Sequence, residues 1–264
     1  MDATFISPDD AASLRTAVRL LENPGFAARL ATMVGKPLNA VGNALPAPAS
    51  QAIAAATEKG LQLALAVALR TLRRDSRGPS SNLHKVAAMA SGAAGGAFGL
   101  ATLPLELPVS TVIMLRSIAD IAISEGEDLS QPEAALSCVQ VFALGGGESA
   151  SGADSGYFAV RSMLAKTVAE AARFVAERSI VEQGAPVLVR FIAHVASRFG
   201  VMVTQKVTAQ ALPVVGALGG AAVNYAFIEH FQQMARGHFT IRRLERKYGE
   251  QAIRAEYQQL AGGR

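Results

Sequence analysis

The chain has 264 residues, of which 50% are hydrophobic, 17% charged and 6% aromatic, with a formal net charge of +4 and a mean hydropathy of +0.26. That length is ample for a sizeable core, and so low a charged fraction beside so much apolar residue excludes a disordered chain. A lone cysteine, Cys138, excludes a disulfide scaffold and any multi-cysteine zinc or iron–sulfur site. Alanine supplies 51 residues and glycine 24. The hydrophobic half is therefore rich in small residues, which points either to a tightly packed helical protein or to a weakly hydrophobic membrane protein.

The first ten residues lack a positive region followed by an apolar run, so no secretory signal peptide is expected. Helical periodicity then dominates, with little strand-like alternation. A first helix is predicted over Asp9 to Leu21, interrupted by Asn23-Pro24-Gly25. Ser50 can cap a long helix reaching Arg74. Asp75 to Asn82 reads as a turn, and a helix from Leu83 ends near Pro104. Another is predicted from Pro108 to Glu125, with Gly126 as its stop. Ser130 and Glu133 have the capping-box spacing for a helix that runs into Gly145. Gly145 to Gly156 is the most loop-like stretch and a candidate lid or hinge. Helices follow at Tyr157–Ser179, Ala185–Ala211 and Pro213–Ala235, with a turn near Gly237 and a basic terminal helix from Thr240. The expected fold is all-α, a single compact bundle of about eight or nine helices with Gly/Ala-rich, closely packed central helices.

Two runs carry no charge, Val86 to Leu105 and Val207 to Ile228. Both are long enough to span a bilayer, but Ala and Gly dominate them and contribute little insertion energy. They read better as buried helices of a soluble or peripheral protein. Gly92/Gly96, Gly95/Gly99 and Gly216/Gly220 form small-xxx-small pairs, which let helix backbones approach closely. These six glycines are the expected helix-packing residues.

Charge is unevenly spread. Arg70 to Lys85 and Arg236 to Arg264 are each net basic, whereas Ser117 to Val160 holds seven acidic residues and no Lys or Arg. Basic segments beside apolar runs suit an anionic membrane surface. Arg236, Arg242, Arg243, Arg246 and Lys247 are the expected lipid- or partner-binding residues. The basic clusters are short and lack interleaved aromatics, which argues against nucleic acid.

No P-loop, zinc-protease, nucleophile-elbow or C-x-x-C motif is present. Glu106 stands alone in an uncharged stretch between Pro104 and Pro108. It reads as a cap on the helix from Pro108, where the helix dipole favours an anion, or else as a functional carboxylate. Arg116 and Asp120 have the spacing of an i,i+4 ion pair. Glu229, His230 and His238 lie close in sequence, but a turn at Gly237 would separate the histidines. No catalytic residue, cofactor or metal is assigned. The candidates, should there be a reaction, are Glu106, His84, Asp120, His230 and His238. Cys138 reads as a small buried hydrophobe.

The segment Glu106 to Asp120 followed by Gly126 to Leu129 resembles the EcsC family of bacterial proteins. So do Leu212 to Asn224 and His230 to Phe239 leading into Arg242 to Gly249. The resemblance runs from Leu45 to Gly249, leaving 1–45 as an N-terminal helical extension, 46–249 as the family domain and 250–264 as a basic C-terminal helix end. The family takes its name from a protein encoded beside the subunits of an ABC transporter. The resemblance implies a cytoplasmic-side accessory or regulatory protein linked to ABC-type transport or secretion. With the basic flanks and the two uncharged runs, the expectation is peripheral membrane association, the partner being an anionic membrane surface or a membrane transport protein. The resemblance carries over no catalytic residue. The alternatives are a hydrolase or metal-dependent enzyme using Glu106 with a histidine, and a helical protein that binds lipid or a small apolar ligand.

Overall fold

A computed structural model describes residues 6–22, 26–34, 46–71, 103–145, 156–177, 184–210 and 216–262. Nine helices and no strand occur among the described residues, packed as one all-α bundle. They are α1 (Pro8–Leu21), α2 (Phe26–Val34), α3 (Ala47–Thr71), α4 (Leu103–Ser124), α5 (Pro132–Leu144), α6 (Gly156–Glu177), α7 (Pro186–Gln210), α8 (Gly216–Tyr248) and α9 (Glu250–Gly262). The predicted helix from Leu83, Gly92, Gly95, Gly96, Gly99, His84, the turn at Asp75 and the body of the Gly145–Gly156 loop lie outside the described residues.

α5 is the centre of the bundle. Every residue from Ala134 to Ala143 is buried, as expected of a helix apolar on all sides, and α3, α4, α6, α7 and α8 all pack against it. Its start is not the predicted capping box. Gln131 is the N-cap and makes no side-chain cap bond. The turn is instead closed by Asp128, whose Oδ1 accepts the Ser130 N–H at 2.9 Å, and Pro132 supplies the preset φ of a first helical residue. The last turn of α5 is satisfied from two other helices. Arg198 Nε on α7 donates to the Ala143 carbonyl at 2.8 Å, and His230 Nε2 on α8 lies 3.3 Å from the Gly145 carbonyl. Buried helix ends need such partners.

α4 begins at Leu103, not at Pro108, so Pro108 lies inside the helix and Glu106 in its first turn rather than at a cap. The hydroxyls of Ser110 and Thr111 donate to the Leu107 carbonyl at 3.0 and 2.7 Å beside the proline. α3 crosses here at close range: a Cβ on Gly60 would stand 3.0 Å from Thr111 Oγ1. α4 ends at Gly126 (φ 79°), where Glu127 N–H reaches the Ala122 carbonyl and Gly126 N–H the Ile123 carbonyl. That is a Schellman motif, and it delivers Glu127 to a buried position.

α8 corrects a second sequence expectation. Gly237 does not break it; the helix continues for 33 residues, about 50 Å at 1.5 Å per residue. A Cβ on Gly237 would meet Leu21 Cγ at 2.6 Å, so this glycine lets α1 lie against α8. α8 stops at Gly249 (φ 90°), which turns the chain into α9.

Two cores result. The larger surrounds α5 and contains the rings of Phe26, Phe142, Phe199, Phe227 and Phe231, with neighbouring centroids 4.9–6.0 Å apart. The smaller lies between α1, the start of α6, the end of α8 and α9, around Leu14, Tyr157, Phe158, Leu244 and Tyr257.

Candidate functional site

The C-terminal half of α8 carries the basic residues read from the sequence, and most of their charge is engaged within the chain. Arg242 makes a two-pronged contact with Glu127 (Nε 2.9 Å, Nη2 3.1 Å) and reaches Glu133 at 3.5 Å. Arg243 pairs with Glu125 at 2.8 Å and Asp10 at 3.0 Å. Arg246 also pairs with Glu127, and Lys247 with Asp10 at 2.7 Å. The acidic middle and the basic tail of the sequence thus meet in space. Arg242 is only 17% exposed, whereas Arg246, Lys247 and Arg236 are 44%, 56% and 42% exposed. Arg242 and Arg243 are therefore not outward-facing cations as the sequence suggested.

Asp10 anchors α1 to this lattice. Ser7 caps α1, its hydroxyl accepting the Asp10 N–H. The Asp10 carboxylate then receives Lys247, Tyr248, Arg243 and the Ser7 hydroxyl, which hold its pKa well below the usual carboxylate range. Burial raises the Glu127 pKa, but Arg242 and Arg246 outweigh it and leave the group below its ordinary value.

Beside the lattice, α5, α6, α8 and α9 enclose a cleft of about 370 Å³. Ser137 and Gln140 of α5 are buried and line it. Arg161 of α6 crosses to Glu245 of α8 with two parallel bonds of 2.7 Å, the fork geometry that guanidinium and carboxylate share. Arg242, Glu133, Glu250 and Arg254 complete its charged lining, and Phe158 and Val168 its apolar part. The Arg161 and Arg254 guanidiniums lie 5.8 and 5.3 Å from the Phe158 ring centroid.

Behind Arg161 is a buried relay. Its Nη1 donates to the Tyr157 hydroxyl at 3.4 Å, and that oxygen is 2.9 Å from His238 Nδ1. A guanidinium only donates, so the Tyr157 oxygen accepts from Arg161, while the direction of its bond to Nδ1 follows the tautomer of His238, whose Nε2 is buried without a hydrogen-bond partner. Burial, then the Arg161 and Arg242 charges, keep His238 well below its ordinary pKa. Burial pushes Tyr157 up to about 12.

The other sequence candidates are dispersed. Glu106 meets Lys206 of α7 at 3.5 Å, a partner that the local sequence pattern did not single out. Lys206 is 2% exposed and lies 5.1 Å from the Phe227 ring centroid. Burial lowers its pKa and Glu106 pulls it back in part. His230, pulled down to about 4 by burial, packs on Phe26 and Phe231 and caps α5. His194 is on the outer face of α7, near Thr167. Asp120 is half-buried in α4. Among the described residues no histidine bonds to Glu106, and no three His, Cys, Asp or Glu side chains are grouped to hold a metal. Cys138 is fully buried, which raises its thiol pKa far above the ordinary value. Gly216 and Gly220 lie in the opening turns of α8.

Three described helices are long and apolar enough to cross a membrane: α3, α4 from Glu106, and α7. The most apolar stretch of α4 is 61% buried in the bundle, that of α7 only 39%. The outer face of α7 shows Val189, Arg190, Ala193, His194, Ser197 and Val201. Met163, Lys166 and Arg173 are exposed on the adjoining α6. The contact Arg190–Glu170 at 3.6 Å ties the two helices at this surface.

No curated protein and no solved structure matches the chain. A family model does, and it begins further toward the N-terminus than the resemblance read from the sequence, taking in most of α1. With that match covering residues 13–244, the chain belongs to the EcsC protein family.

Proposed function

We propose that this EcsC protein is a non-enzymatic accessory or regulatory protein that docks on the cytoplasmic face of the bacterial membrane, in the service of ABC-type transport or secretion. The observation that carries this reading is the α6–α7 outer face. Met163, Val189 and Val201 are each about half exposed there, and Lys166, Arg173 and Arg190 flank them against Glu170 and Glu177. Apolar side chains ringed by a net positive charge match an anionic lipid surface, where each cation near the headgroups adds about 1 kcal/mol. Arg246 and Lys247, exposed cations of α8, and half-buried Arg236 take a secondary part. The enzyme reading has less support, because Glu106 meets a lysine and not a histidine.

Sedimentation with vesicles tests the docking. The protein is expected to pellet with anionic vesicles at low salt, to release at high salt, and to lose binding in Val201→Asp. Equal recovery with anionic and neutral vesicles, or unchanged binding in Val201→Asp, overturns it.

A further inference from the structure

We infer that the cleft between α5, α6, α8 and α9 is a binding site for a small phosphate-ammonium zwitterion, anionic end inward. The floor is made of donors. A guanidinium has five N–H groups. Arg161 directs three contacts to Tyr157 and Glu245, and Arg242 three to Glu127 and Glu133, so each keeps donors. Ser137, 1% exposed, lines the same cleft, and its Oγ has no hydrogen-bond partner. A buried hydroxyl without a partner is uncommon and costly, and a turn of the Ser137 side chain toward the cleft it lines would let a ligand oxygen satisfy it. The Gln140 amide adds a fourth donor. Four donors from three helices suit the several oxygens of a phosphate better than the two of a carboxylate.

The rim sets the second half of the ligand. Glu133 is 64% exposed, and Glu250 is also exposed at the cleft mouth. The lining as a whole carries three arginines and three glutamates. A free phosphate dianion would face three carboxylates, and a bare amine three guanidiniums. A molecule with both groups a few bonds apart meets opposite charge at each end, which is how juxtaposed like charges exclude the half-ligands. The volume, about 370 Å³, suits a small polar molecule. Two sources share this chemistry: a soluble phosphoethanolamine-type metabolite, and the headgroup of an ethanolamine phospholipid.

Titration calorimetry of the full chain with O-phosphoethanolamine tests the site. Saturable binding is expected, with inorganic phosphate and ethanolamine alone each at least about tenfold weaker. Ser137→Ala is expected to weaken phosphoethanolamine about tenfold while helicity and melting temperature hold, since it removes only a hydroxyl already without a protein partner. Glu250→Gln is expected to weaken phosphoethanolamine and to strengthen phosphate, since one of the three repelling carboxylates is gone. Loss of phosphatidylethanolamine-vesicle binding in Ser137→Ala assigns the lipid as the source, and retention there with weakened soluble binding assigns the free molecule. Absence of saturable binding, phosphate binding as tightly as the zwitterion, or an unchanged affinity in Ser137→Ala overturns the proposal. Because the first probe is soluble, the site stands or falls independently of membrane docking.

Discussion

The two cores of this protein are held by different forces. Around α5 the interior is alanine, leucine and phenylalanine rings packed mostly edge-on or tilted, with polar insertions such as the Lys206–Glu106 and Gln232–Ser117 contacts. Around α1, α8 and α9 the core is small, its tyrosines reach out to polar partners, and ion pairs surround it. In a chain with only 17% charged residues, the charge is concentrated where apolar area is scarce. The large core gains from burial, which is insensitive to salt; the small one leans on directed contacts, which depend on protonation and, where exposed, on ionic strength.

The contrast is sharpest in substitution. Phe231 touches Phe142, Phe199 and Phe227, and Phe231→Ala is expected to cost about 3–5 kcal/mol. Urea denaturation should give the same loss at low and high salt. Glu127→Gln leaves the largely buried Arg242 without its carboxylate and is expected to cost roughly 3 kcal/mol. That loss should change little with salt, because the pair is buried, and should vanish as acid protonates Glu127 in the wild type. A loss that persists in acid would break the division between the two regions.

Acid should act in order, first on the buried histidines, His230 in the large region and His238 beside the small one, and then on the carboxylates. His230 titrates at about 4 in the fold against about 6.5 unfolded. A base with a lowered folded pKa lets the unfolded chain take the proton first. Its contribution is therefore full above about pH 6.5 and lost as the pH falls to 4, by about 3 kcal/mol. Asp10 and Glu127 are depressed acids, so their contribution is present above about pH 4 and lost only below it, as the pH falls through their folded values. Denaturation midpoints should thus decline first through the histidine window, and His230→Asn should lessen that decline, with buried His238 carrying the rest. The smallest effect is expected from Tyr157→Phe, which deletes the hydroxyl between Arg161 and His238 at about 1 kcal/mol. A thermal scan would resolve it, and an altered His238 ring signal by NMR would show that the relay sets its tautomer.

Much of this architecture was legible from local pattern. The all-α class, the span of α1, the stop at Gly126 and the burial of Cys138 follow from periodicity, caps and composition. The failures share a cause. Gly237 and Pro108 look like breakers in sequence, yet each sits inside a helix, because a close neighbour decides their use: Leu21 against Gly237, and Gly60 against Pro108. The basic residues of α8 looked outward because their partners, Asp10, Glu125 and Glu127, lie more than a hundred residues away. Lys206 escaped notice for the same reason, since nothing on α7 announces Glu106. The cleft could not be read at all, because four helices that are not consecutive in sequence build it.

The unbroken α8 has one more consequence. The same rod carries Phe227 and Phe231 into the large core, His230 to the end of α5, His238 to the Tyr157 hydroxyl, and Arg242 and Glu245 to the cleft. Its two ends cannot rotate separately. A ligand that drew Arg242 and Arg161 together would turn the whole shaft and change the seat of the phenylalanines some 20 Å away, by the 1.5 Å rise per residue, so that the cleft and the helices packed on the large core are geared to one axle.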